Sequence, residues 1–160
     1  MKNNINNHNI VKEIFENYLE NNQLRKTKSR FSILDTIYQF ENHFDADELF
    51  RLLRAKSEPV SKATIYNTLE VLEKCGLIRK HLFTKDHAVY EPSYGFSQHD
   101  HLICTGCNKI IEFCDPRIQA IQTTIGKLFN FRIEERSLTL YGTCIDPACV
   151  HKSIDNKKNK

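Results

Sequence analysis

Four cysteines in two short pairs constrain this chain more than any other feature. Cys104-Thr-Gly-Cys107 is a C-x2-C knuckle in which Gly106 lets the backbone turn around an ion. Cys144-Ile-Asp-Pro-Ala-Cys149 is a C-x4-C pair whose loop Pro147 helps to close. Four thiolates match the ligand type and number of a closed tetrahedral zinc site and leave no open position for catalysis. If one ion takes all four, residues 108–143 must leave the site and return to it, so the C-terminal third folds as a stapled unit. A redox dithiol, which needs one pair only, and unrelated buried cysteines are the competing readings. Cys75 and Cys114 stand alone and read as core or surface thiols.

The remaining composition sets the context for those thiols. A length of 160 residues allows one ordinary domain or two small ones, each with a modest core. Apolar runs are only a few residues long, so no membrane span is expected. The segment Met1-Lys-Asn-Asn-Ile-Asn-Asn-His8 lacks the apolar stretch of a secretory signal, which implies a cytoplasmic protein in a reducing compartment. The net charge of +3 is too small to require a nucleic-acid partner. Its distribution says more: residues 21–30 hold Arg25, Lys26, Lys28 and Arg30 and no acid.

The N-terminal part reads as helical. Ile10, Val11, Ile14, Phe15, Tyr18 and Leu19 recur at helix spacing, and Phe31, Leu34, Ile37 and Tyr38 repeat the pattern. A third helix starts at a capping-box arrangement of Asp45 and Glu48, carries Leu49, Leu52 and Leu53, and ends before Pro59. Ser61 caps a fourth helix through Cys75 with Ile65, Leu69 and Leu72 inward, and Gly76 supplies its left-handed end. Leu77–Phe83 and Ala88–Glu91 then form a hairpin around Thr84-Lys-Asp-His87. Helices followed by a hairpin in this order predict a winged helix-turn-helix, with the Ser61 helix for recognition and the hairpin as the wing. Its exposed face offers Ser61, Lys62, Thr64, Tyr66, Asn67 and Thr68, donors suited to phosphates and base edges. A solvated helix in a protein–protein module would carry the same pattern.

The style changes near residue 92, where Pro92-Ser-Tyr-Gly-Phe-Ser97 has linker chemistry. Short strands are expected at His101–Cys104 and Lys109–Phe113, and a helix starting at Asp115-Pro116 with Ile118, Ile121, Ile125 and Leu128 as its buried face. Phe131–Tyr141 reads as a further strand, and the polar tail from Ser153 as disordered. A unit this small has sheet edges to cover, for which a dimer is economical. The fold class is therefore α+β: an N-terminal winged helix-turn-helix domain (1–91), a hinge (92–98), a C-terminal α/β dimerisation domain with a four-cysteine zinc site (99–152), and a tail (153–160).

A second set of metal-capable residues differs in kind. His99-Asp100-His101 precedes the knuckle, and in a strand the two histidines share a face. Glu112 lies on the strand after the knuckle, Glu91 ends the wing, and His43 precedes the third helix. Together they would make a harder nitrogen and oxygen site for Fe(II), Mn(II), Co(II) or Zn(II). Singly, each is an ordinary surface residue type.

The run His99-Asp-His-Leu-Ile-Cys-Thr-Gly-Cys-Asn-Lys-Ile-Ile-Glu-Phe113 resembles the signature of the ferric uptake regulator family. Ala63-Thr-Ile-Tyr-Asn-Thr-Leu69 is similar to that family's recognition helix, and Arg25-Lys-Thr-Lys-Ser-Arg30 to its basic segment leading into the second helix. The matches run in family order from about residue 20 to 150. The resemblance implies a homodimeric, metal-dependent repressor of double-stranded DNA operators, with no enzymatic activity and no small-molecule substrate. It places the sensing site on His43, Glu91, His99, His101 and Glu112. An ion taken by all five would set the angle between the domains and so the spacing of two recognition helices. It also implies that Tyr66 contacts a base or sugar–phosphate edge, with Ser61, Thr64 and Asn67 nearby, and that Arg25 reaches a minor groove.

The chain departs from the family at two places. A further family metal site falls on Gln98, Asp100, Gln119 and Arg136, of which only Asp100 can ligate, so that site is expected to be absent. The stretch from Glu91 to His99 is also about one residue longer than in the family. Relatives that sense peroxide carry aspartates where this chain has Glu91 and Glu112, and zinc sensors often carry a hinge cysteine, of which none lies between Cys75 and Cys104. The expectation is one structural Zn2+ per subunit and a regulatory Fe2+, with Mn2+, Co2+ or Zn2+ as substitutes. The alternatives are a zinc- or peroxide-sensing regulator of the same family, or a zinc-stapled redox or metal-buffering protein without an operator.

Overall fold

The computed structural model describes residues 4–40, 43–58, 60–83, 88–145 and 149, with residues 4–7 described in backbone alone. Pro59, Pro147, the expected wing turn at 84–87 and the tail from 153 lie outside these. The chain forms two compact units that divide between Ser97 and Gln98.

In the first unit, α1 (Asn4–Asn21), α2 (Lys28–Ile37), α3 (Ala46–Ala55) and α4 (Lys62–Lys74) precede a hairpin of β1 (Ile78–His81) and β2 (Val89–Pro92). Its core joins Val11, Phe15 and Leu19 of α1 to Leu34 and Ile37 of α2, Leu49 and Leu53 of α3, and Ile65, Leu69 and Leu72 of α4. The caps are local chemistry: Asp45 Oδ1 accepts from the Glu48 N–H at 2.7 Å, and Ser61 Oγ accepts from the Thr64 N–H at 3.1 Å. Gly76 ends α4 at φ +73°, where a side chain would be strained. The hairpin is antiparallel, with Ile78 opposite Pro92, Arg79 opposite Glu91 and His81 opposite Val89. The winged helix-turn-helix expected from the sequence is present, with the first wing strand shorter than its apolar run and the second of the expected length, shifted by one residue.

The second unit holds β3 (Asp100–Cys104), β4 (Ile110–Phe113), α5 (Pro116–Phe129) and β5 (Thr139–Gly142). The sheet order is β4-β3-β5, with β4 antiparallel and β5 parallel to the central β3. Asp115 caps α5, and Pro116 takes its first turn. A Cβ on Gly126 would come within 2.8 Å of the Phe131 carbonyl oxygen, so the chain can fold back tightly after this helix only over glycine.

Two expectations are corrected here. The strand assigned to Phe131–Tyr141 is only Thr139–Gly142. Upstream, the Phe131 N–H closes the helix on the Gly126 carbonyl at 2.8 Å, and the Arg136 carbonyl accepts from Gln98 Nε2 at 2.8 Å, so these groups do not join the ladder. The stripe Ile118, Ile121, Ile125, Leu128 lies along α5 as expected but is not buried; Leu128 is 72% exposed.

Candidate metal centre and nucleic-acid interface

The β3–β4 turn and the segment after β5 bring the four cysteines together. Their Sγ atoms lie within 4.8 Å of one another, with Cys104 and Cys149 buried and Cys107 and Cys144 half-buried. β5 runs parallel beside β3, with Gly142 opposite Cys104, and so delivers Cys144 to the knuckle. Cys107 Sγ stands 3.7 Å from Cys144 Sγ, and the Cys144 N–H points at Cys104 Sγ at 3.3 Å. That N–H, with those of Cys107 and Gly106, holds the Cys104 thiol down at about 5, whereas Cys144, hydrogen-bonded with Cys104 and Cys149, is pushed up to about 12. Backbone N–H groups that stabilise a thiolate are what a thiolate–metal cluster requires. The donor set fits Zn2+, with four sulfur ligands and no carboxylate or water-bearing position among them.

A different set gathers on the same sheet. His101 is the cross-strand partner of Glu112, so their side chains leave the same face. His99 Nε2 lies 3.8 Å from Glu112 Oε2, and the His99 and His101 rings meet edge-to-face at 4.8 Å. His101 is buried and Glu112 exposed.

In the first unit, an isolated bridge ties Phe44 to Tyr90, with N–H···O distances of 2.9 and 2.8 Å in the two directions. This bridge places His43 beside Glu91 on the neighbouring position of β2. His43 Nε2 lies 3.2 Å from Glu91 Oε2. A residue that sequence reasoning missed completes the group: His81 Nε2 stands 3.2 Å from Glu91 Oε1. Its signal was present in the register, because two strands joined around 84–87 put residue 81 diagonal to residue 91. The ligand atoms of His43, His81 and Glu91 all lie within 4.8 Å of one another.

Gln98, Asp100, Gln119 and Arg136 also converge. The Arg136 guanidinium forms a two-point pair with Asp100 (Nε–Oδ1 3.2 Å, Nη2–Oδ2 3.1 Å). Its Nη1 donates to Gln119 Oε1 at 2.9 Å and to Gln122 Oε1 at 3.0 Å. Gln122 was not anticipated. An organic cation thus satisfies the buried carboxylate.

On α4, Tyr66 is 52% exposed, with Lys62 and Asn67 exposed and Thr64 half-buried beside it. Thr64 Oγ1 is 2.9 Å from Ser61 Oγ, and Lys62 Nζ pairs with Asp47 at 2.6 Å. Thr68 does not belong to this face. It is fully buried and its hydroxyl donates to the Thr64 carbonyl at 2.7 Å, because it falls in the inward stripe with Ile65, Leu69 and Leu72. Arg25 is exposed, and its carbonyl accepts from Arg30 Nη1 at 2.9 Å.

Comparison with known proteins gives one consistent result. The sequence model of the ferric uptake regulator family matches residues 21–141. The ferric uptake regulation protein of Neisseria gonorrhoeae is 35% identical over 129 residues, covering 80% of this chain and 89% of that protein. The structure of the ferric uptake regulator from Francisella tularensis with iron is 32% identical with a TM-score of 0.65, covering 76% of this chain and 92% of that one. The Helicobacter pylori regulator, whose structure has three functional metal binding sites, is 27% identical with a TM-score of 0.75, covering 86% and 91%.

Proposed function

Because this chain belongs to the ferric uptake regulator family of metal-responsive transcription regulators, we propose that it is an Fe(II)-dependent repressor of iron-uptake genes. Proteins of this family are dimeric DNA-binding regulators and not enzymes. No helix among the described residues is long and apolar enough to cross a membrane, and we place the protein in the cytoplasm.

The observation that carries the proposal is the coexistence of two chemically distinct ligand sets. Cys104, Cys107, Cys144 and Cys149 take one structural Zn2+ per subunit, a closed site that does not exchange during signalling. His99, His101 and Glu112, together with His43 and Glu91, supply imidazoles and carboxylates that suit Fe(II), with Mn(II), Co(II) or Zn(II) as substitutes. An ion held by all five residues would neutralise the charges of Glu91 and Glu112 and would tie β2 to the β3–β4 pair. The hinge at 92–98 then loses freedom, which favours one presentation of the two recognition helices of a dimer. Tyr66 and Asn67, with Ser61, Lys62 and Thr64, meet the major groove, and Arg25 an adjacent minor groove. The third family site is absent, its cation replaced by Arg136.

A gel-shift at fixed salt tests this reading. Sequence-specific binding to an iron-uptake promoter is expected with Fe(II) and lost on chelation, and His101→Ala and Glu112→Ala should each abolish it while the zinc-loaded dimer persists. Absence of metal-dependent, sequence-specific binding with Fe(II), Mn(II) and Zn(II) alike would sink the repressor assignment. Loss of structural zinc in either variant would show that the two ligand sets had been misassigned.

A further inference from the structure

We propose that His81 is a ligand of the regulatory ion, so that the winged-helix unit contributes two imidazoles and one carboxylate. This rests on the reading above, that a second, exchangeable ion binds near His43 and Glu91. The sensing set implied by the family resemblance contains no residue of β1.

The geometry is that of ligands around a common centre. Glu91 offers one oxygen to each imidazole: Oε2 to His43 Nε2 and Oε1 to His81 Nε2, both at 3.2 Å. Two donor atoms about 2.1 Å from one ion stand about 3.0 Å apart at a right angle and about 3.4 Å apart at the tetrahedral angle. The observed separations fall in that interval. Metal binding needs the lone pair of each Nε2, so an ion would take the place of any proton there and leave the three groups where they stand.

The surroundings hold His81 in this pose. β1 alternation puts Arg79 and His81 on one face, with Glu91 directly opposite the first and diagonal to the second. The His81 ring stacks on Phe83 at 4.8 Å with the planes only 10° apart, and His43 meets Phe83 edge-on at 5.7 Å. The side chains of His43, His81 and Glu91 are 7%, 15% and 6% exposed, so water competes weakly for the ion. The Arg79 guanidinium, 3.5 Å from Glu91 Oε1, counters the carboxylate while no metal is bound. Imidazole suits iron and zinc, whereas Mn(II) and Mg(II) favour oxygen donors, so an added imidazole shifts the site toward the former.

The test uses the full-length zinc-loaded protein titrated anaerobically with Co(II), whose visible spectrum and X-ray absorption report coordination. The wild type should take one Co(II) beyond zinc. His81→Ala and His81→Gln should each bind it at least about tenfold more weakly, with an altered visible spectrum and one fewer imidazole around the ion, at unchanged zinc content. In the wild type itself, the His81 Nε2 nitrogen resonance should move to the metal-bound range on loading with Zn(II), a readout independent of any substitution. An unchanged imidazole count and spectrum in both variants, or an unmoved His81 resonance, overturns the assignment even if affinity falls. If the wild type takes no ion beyond zinc, the regulatory-site reading fails first and this one with it.

Discussion

Arg136 meets Asp100 at two points, Nε to Oδ1 at 3.2 Å and Nη2 to Oδ2 at 3.1 Å, and the Asp100 side chain is fully buried between two histidines in sequence. The pair anchors the segment after α5 to the central strand, and its remaining donor reaches Gln119 and Gln122 on the helix. Asp100 leaves β3 on the face opposite His101, so the cation that satisfies it stays clear of the sensing residues.

Removing the cation alone is therefore expected to be costly. Arg136→Ala should destabilise the protein by about 3–5 kcal/mol, since it strands a buried carboxylate. Asp100→Leu combined with Arg136→Met should recover much of that loss. Urea unfolding of the single and double variants measures both. Fully loaded protein should contain two metal ions per subunit by elemental analysis; three would contradict the replacement of a metal by Arg136.

Cys107→Ser or Cys144→Ser should release zinc, because a closed four-sulfur site tolerates no missing ligand. Removing zinc should also dissolve the dimer and the sensor together, since β3 and β4 carry both the knuckle and His101 and Glu112. Zinc content, sedimentation and Co(II) titration on one sample test this. A stable dimer with intact Co(II) binding after zinc loss would refute it.

Leu102, Ile111 and Leu140 form an exposed apolar row across the three strands, aligned by register. With the uncovered stripe of α5, this is the surface on which a dimer would be built. Ile111→Glu should shift the protein to monomer in sedimentation at micromolar concentration while leaving one zinc per subunit.

On the recognition helix, Tyr66→Ala should weaken operator binding by about 1–3 kcal/mol and relax sequence preference if the ring reads a base. Lys62→Ala should weaken binding to all sequences and lower the salt slope by about 1 if its ammonium leaves Asp47 for a phosphate. Fluorescence anisotropy over a salt series separates the two effects.

Burial pushes the Cys75 thiol up to about 11 from its ordinary 9.0. A folded value raised above the unfolded one contributes stability that is full below pH 9 and lost as the pH rises through 11. Cys75→Ala should flatten that part of the pH–stability curve. At pH 8, alkylation of the zinc-loaded protein should label the exposed Cys114 and spare Cys75.

The sequence was legible where one local rule decides. Asp45, Ser61 and Asp115 announced their helices because a cap acts within three residues, and the cysteine spacing announced its cluster because few other structures need it. His99, His101 and Glu112 could be grouped from strand alternation and one short turn. Long-range geometry was not legible in this way. That β5 begins only at Thr139, that Thr68 turns inward, and that Arg136 spans from α5 to Asp100 follow from competition among distant partners. His81 shows the boundary most clearly. Its residue type was visible, but only the pairing of β1 with β2 and the bridge from Phe44 to Tyr90 brought it and His43 to opposite oxygens of Glu91, because side-chain convergence depends on register and not on spacing.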